Sequence, residues 1–401
     1  MSRDTRLFIF FSILLIFTAG GAIFLLLPRL GGDETPREST PIGYPSETAK
    51  ARVVEVLETG GTEISGIPQN YKILRVEVVE GRWQAQEFEI NYGLNQAVPS
   101  GFDIQPGDEI LITVGQNPDR VLSAFFTDFV RIRPLLWLVA TFVISIILIS
   151  GWKGVRALLG MAFSLLVILT YIIPNILRGD DPVLVSITGA FVLLSVTLYL
   201  VYGWTLKTHA AVLATLIALV ITGALSAFFV NLTRLTGFES EESLFLIQQA
   251  SVQINLQGLL LGGMLIGALG VLDDLVITQS SVVFEILGAD RTLTMRGLFW
   301  KGMRVGQDHV AATVNTLVLA YTGAALPMLL LFSLSGEAFG NLVNLEFIAV
   351  EIVRTLVGSL GLIAAVPITT GLASALALNR GRLGNLSAYL GPEGDGQDHS
   401  H

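Results

Sequence analysis

Runs of about 20 mostly apolar residues recur along this chain, at 7–27, 134–150, 157–177, 183–202, 210–232, 256–284, 309–334 and within 348–378. A helix of about 20 apolar residues covers the roughly 30 Å of hydrocarbon in a bilayer. In that medium backbone polar groups have to be satisfied within the segment, which for such runs means helix. The expected fold is therefore an all-α membrane helix bundle of about eight transmembrane helices in contact with the lipid bilayer. Composition agrees, since 52% of the 401 residues are hydrophobic and only 14% charged, against about 25% charged in soluble domains. A cytosolic enzyme and a disordered chain are excluded, and no basic patch points to nucleic acid. The absence of cysteine removes disulfides, thiolate metal sites and cysteine nucleophiles.

Lys and Arg in short loops mark the cytoplasmic side of a membrane protein. With the N-terminus inside, Arg3, Arg6, Lys153, Arg156, Lys207, Arg291, Arg296, Lys301, Arg304, Arg380 and Arg382 share one side. Asp180, Asp181, Glu239, Glu241, Glu242 and Glu337 fall on the other, while Arg29, Arg131, Arg133, Arg178 and Arg234 depart from the pattern. Both termini are expected to be cytoplasmic. The first run exceeds the 7–15 residues of a signal-peptide core, so residues 1–30 are expected to stay as a transmembrane anchor. Residues 31–47 read as a Pro/Gly/Thr-rich linker, 131–379 as a seven-helix transmembrane domain and 380–401 as a polar cytoplasmic tail. Between linker and helices, 48–130 has a different texture: short β-rich runs at 53–57, 73–79, 87–90, 109–114 and 121–126, with a Pro106-Gly107-Asp108 turn feeding one of them. A small extracytoplasmic β-rich domain is expected there, a barrel or sandwich with an OB-like barrel as one option. Such a module reads as structural or as the contact for an envelope protein.

Chemistry has to come from the few polar residues within apolar runs. Asp273 and Asp274 lie well inside the 256–284 run, and an intramembrane carboxylate is a functional candidate by default because it costs a few kcal/mol to insert. Neighbours on a helix point about 100° apart. Asp274 shares its stripe with Thr278 and Ser281, Asp273 with Ile277 and Ser280; the first stripe is the more polar, so Asp274 is the acid expected to look down a pore while its neighbour faces another helix. In the next run His309, Thr313 and Thr316 share one face, Asp308 and Asn315 the adjoining one. Because the two runs are joined by a short loop, Asp273, Asp274, Thr278, Gln279, Asp308, His309, Thr313, Asn315 and Thr316 are expected to form one polar cluster. Such a cluster can pass protons or replace a cation's hydration shell in a transporter. It can instead glue helices in a membrane scaffold, or serve an intramembrane hydrolase in which Asp308 meets one of the paired acids. No cofactor is evident beyond protons or a cation, and Asp274, Asp308 and His309 are the candidate metal ligands.

Elsewhere the signals are plainer. The glycines of 258–270 read as helix packing, His209 as a loop residue, and Glu351 with Arg354 as an ion pair at i, i+3. Pro327 and Pro367 are expected to kink their helices, and 244–257 to form a helix on the membrane surface.

The segments LGVLDDLVITQSSVVFEI, GMRVGQDHVAATVNTLVLAYTGAALPMLLLF and LVGSLGLIAAVPITTGLAS resemble the YibE/F family of bacterial multi-pass membrane proteins, over about 131–377. The QPGDEILITV segment is similar to that family's extracytoplasmic part. The resemblance implies a place in the bacterial cytoplasmic membrane and assigns no catalytic residues. The order of Asp273 or Asp274, the charged loop 291–304 and Asn315-Thr316 also resembles the proton-driven helices of the SecDF and RND transport proteins.

Overall fold

In a computed structural model of the chain, the described residues are 46–98, 103–116, 122–250, 252–336 and 338–379. The expected anchor at 7–27, most of the linker and the tail at 380–401 lie outside them. The described residues fall into two compact units that divide between Ile146 and Ile147.

The first unit is a five-stranded antiparallel sheet in the order β3-β2-β1-β4-β5. Its strands are β1 (Ser46–Ile64), β2 (Ile67–Val78), β3 (Glu87–Tyr92), β4 (Glu109–Gln116) and β5 (Leu122–Phe129). Alternation builds it: Ala49, Ala51 and Val53 of β1, Leu74, Val76 and Val78 of β2, and Ile110, Ile112 and Val114 of β4 all point into one core, as the two-residue period of a strand requires. On the other face Lys50 and Arg52 reach Glu109 at 3.0 and 3.5 Å. The hydrogen bond and charge of Lys50 hold the Glu109 carboxyl below its ordinary range. The expected barrel is not closed. Edge strands β3 and β5 meet through rings, Tyr92 lying 4.8 Å from Phe126 and 6.2 Å from Phe129, and no ladder joins the two strands. Side chains of that width fill the gap where strands about 4.8 Å apart would have to run.

The second unit is helical. A helical run of 46 residues, Ile132–Leu177, starts in the first unit and continues into this one. It comprises α1 (Ile132–Val167), a π-helical turn (Ile168–Ile172) and α2 (Ile173–Leu177). Two separate spans were expected here. Two helices do meet here, at a kink on Gly151, whose φ of 54° and ψ of −133° leave the helical region. Glycine alone tolerates such a backbone cheaply. Then follow α3 (Pro182–Tyr202), α4 (Leu206–Leu232), α5 (Glu241–Gln249), α6 (Leu256–Ala289), α7 (Met295–Ala324), α8 (Leu326–Ser335), α9 (Phe339–Leu342) and α10 (Glu346–Leu378).

Side-chain caps start most of the long helices. The Asp181 carboxylate accepts the Val183 and Leu184 N–H groups ahead of α3, and Thr205, Asn255 and Thr294 do the same for α4, α6 and α7, satisfying donors that a helix leaves free. The α7–α8 pair is bent by 61° where Pro327 removes a donor, as expected. Pro367 is accommodated within an unbroken α10. Five helical runs among the described residues are long and apolar enough to cross a membrane, or six with the bent pair as one. Of the expected eight, one lies outside the described residues, and the runs 134–150 and 157–177 are counted together in Ile132–Leu177, which is kinked between them at Gly151. The chain is a multi-pass membrane protein by these spans.

Helices α4, α6 and α10 pack against one another, α3 lies on α6, and α7 lies on α10 and α6. Small residues permit the close approaches. A Cβ on Gly361 of α10 would strike Thr222 of α4, one on Gly262 of α6 would strike Ser186 of α3, and one on Gly306 of α7 would strike Val366 of α10.

Candidate functional site

The glycine ladder of α6 divides by face. Gly258 and Gly262 pack against neighbours, whereas a Cβ on Gly263 or Gly270 would meet nothing within 4 Å. Gly263, Gly267, Gly270, Asp274 and Thr278 follow one another at helical spacing and are all exposed. Beside the half-buried Val271, this open stripe is made of small and polar residues, which is unusual for a face presented to lipid.

Asp274 therefore does not look into the packed interior. Asp273 does so in part: it is half-buried, and its Oδ1 is enclosed without a hydrogen-bond donor among the described residues. The burial order of the two acids follows from α6 turning its Leu272, Leu275 and Val276 edge into the core it shares with α4 and α10.

Depth comes from hydrogen bonds. Ser280 Oγ donates to the Lys207 carbonyl at 2.8 Å, which puts Ser280 level with the first turn of α4. Asp273 and Asp274 lie about 10 Å further along the axis at 1.5 Å per residue. Gln279 Nε2 donates to the Gly302 carbonyl at 3.0 Å, and the Gly267 position lies 3.7 Å from Tyr321 Oη. Along α6 Asp274 lies between these anchors, and along α7 Asp308 and His309 lie between them as well.

Along α7, Asp308, Asn315 and Thr316 are exposed, and His309 and Thr313 are half-buried. The Thr313 and Thr316 hydroxyls donate to the His309 and Ala312 carbonyls of their own helix at 2.8 and 3.0 Å, so they bind α7 to itself rather than to α6. Gln279 stands apart from the rest. It is buried, and its amide bridges Gly302 of α7 and Thr370 Oγ1 of α10, the latter at 2.8 Å, so it locks three helices. Among the described residues no three His, Cys, Asp or Glu side chains converge on a point that could hold a metal ion.

One residue escaped the sequence reading. His209, expected in a loop, is buried in the first turn of α4, with Nδ1 2.8 Å from Tyr199 Oη and its ring edge-on to Trp204 at 4.7 Å. The available signal was Thr205, a helix-capping type four residues earlier.

A family model described as YibE/F-like protein matches residues 138–379, more than half of the chain. The chain belongs to the YibE/F-like family. The match runs from within α1 to the last turn of α10, so the YibE/F-like region contains the open stripe, the Gln279 lock and every predicted site residue, and leaves the sheet outside. Among curated proteins and solved structures, none matches this YibE/F-like chain.

Proposed function

We propose that this YibE/F-like protein is an ion- or proton-coupled transporter of the bacterial cytoplasmic membrane. Asp274 and Asp273 are its titrating groups, His309 and Asp308 relay protons or bind the ion, and Thr278, Thr313, Asn315 and Thr316 line the way. One observation supports this above the rest: Asp274 and Thr278 lie on an exposed stripe of α6 that also carries Gly263, Gly267 and Gly270. A carboxylate there is costly against lipid and is stabilised by water or a cation. The charge pattern assigns the Lys207 end to the cytoplasm, which makes Asp274 a short step from that side.

Reconstituted vesicles provide the test. Asp274→Asn is expected to abolish ion- or proton-dependent flux while leaving the folded amount unchanged; wild-type rates in that variant would end the assignment. A second reading, a scaffold that binds an envelope protein, draws on the β1–β2 hairpin. Its far end, Thr59–Ile64 paired with Ile67–Lys72, reaches beyond β4, and Ile67 is 67% exposed. Loss of a co-purifying envelope protein on removal of 59–72, with no flux in any variant, would favour it.

A further inference from the structure

A crevice opens between α6, α7 and α10, lined among others by Gly267 and Val271, Leu317 and Tyr321, and Arg354 and Gly358. It holds about 10 Å³ of space, roughly one water. Two of its features are out of place in a dry apolar seam. Arg354 Nη1 donates to Glu351 Oε1 at 2.5 Å, and this pair sits within α10 with side chains 29% and 34% exposed. Glu351, Arg354 and Gly358 recur at i, i+3 and i+7, hence on one face of α10. The Tyr321 hydroxyl points at the crevice wall opposite, 3.7 Å from the position a Cβ on Gly267 would take.

On α6 the crevice wall and the open stripe are the same face. Gly267 and Val271 lead by helical spacing to Asp274 and Thr278, and Gly267 to Asp274 is about 10 Å along the axis. An ion pair, a phenol and a water-sized space thus stand at one end of a stripe whose other end carries a carboxylate.

We infer that the crevice beside Arg354 is a hydrated site, the section nearer the Glu346 end of a water path whose other end is Asp274. The Glu351–Arg354 pair lines its mouth and supplies the polar partners that hold the water. The path's far end rests on the proposed role of Asp274; the hydration of the crevice does not.

The chain contains no cysteine, so single-cysteine variants of the whole protein carry one thiol each. A Cβ at Gly358 meets nothing within 4 Å, and one at Gly267 meets only Tyr321 Oη, so both positions accept the side chain. Leu360→Cys and Ile363→Cys, at exposed apolar positions of the same helix, serve as controls. A charged, membrane-impermeant methanethiosulfonate is added to each face of membrane vesicles. Only a thiolate reacts, and a thiolate forms where water solvates it, so Gly358→Cys and Gly267→Cys should react at least about tenfold faster than the controls. The reaction should come from the face nearer Glu346. Rates equal to those of the controls for both variants would overturn the inference. Fast labelling without flux would leave the crevice hydrated and remove the transport reading; flux with an unlabelled crevice would do the reverse.

Discussion

Gln279 donates to Gly302 of one helix and to Thr370 of another, in a contact where Gly302 and Gly306 keep α7 close enough for the amide to reach. Replacing it with leucine removes two interhelical hydrogen bonds, to groups that keep bonds within their own helices, and also removes an amide oxygen buried without a partner, a net cost of about 1 kcal/mol. Gln279→Leu should therefore lower stability in detergent unfolding by that order, whereas Asp274→Asn, on the open face, should leave it unchanged. Equal stability of Gln279→Leu and the parent would show that packing alone joins the three helices. The helical period made the pairing of Asp274 with Thr278 and of Asp273 with Ile277 and Ser280 legible, and the members of each pairing do share a face. It could not say which face opens, because that depends on where α4 and α10 lie.

Elements obey local chemistry most closely at their ends. The β1–β2 hairpin closes through Ser65 and Gly66, with φ of 53° and 81°, the left-handed pair that two-residue hairpins favour. Gly66→Val should cost about 1 kcal/mol or more, since a β-branched residue is strained there. Ser65→Asn should gain a few tenths of a kcal/mol. Hydrogen exchange along Thr59–Ile64 would read both, and unchanged protection in Gly66→Val would show that the hairpin end is frayed in the parent. Pro327 broke its helix and Pro367 did not, although both were expected to kink. The difference is that α7 ends at Ala324 where the chain turns, while α10 is held on both sides of Pro367 by buried Leu362, Ala365, Val366 and Thr370. Propensity biases an element, and packing can override it.

The molecule has two units with separate cores. The sheet buries its own cluster, from Ala49 to Ala124, with Tyr92, Phe126 and Phe129 ring-packed beside it. A fragment spanning 46–130 should therefore fold without the helices and show methyl resonances shifted by those rings; a collapsed, undispersed spectrum would mean that the sheet depends on the membrane region. Hydropathy and period reveal that helices cross a membrane and that alternating strands lie between apolar runs, because each is a property of one contiguous segment. Whether β3 and β5 close a barrel, which acid stays open, and how Arg354 comes to share a crevice with Gly267 depend on residues brought together from far along the chain. Packing between distant segments settles those questions, and a local pattern carries no record of its partner.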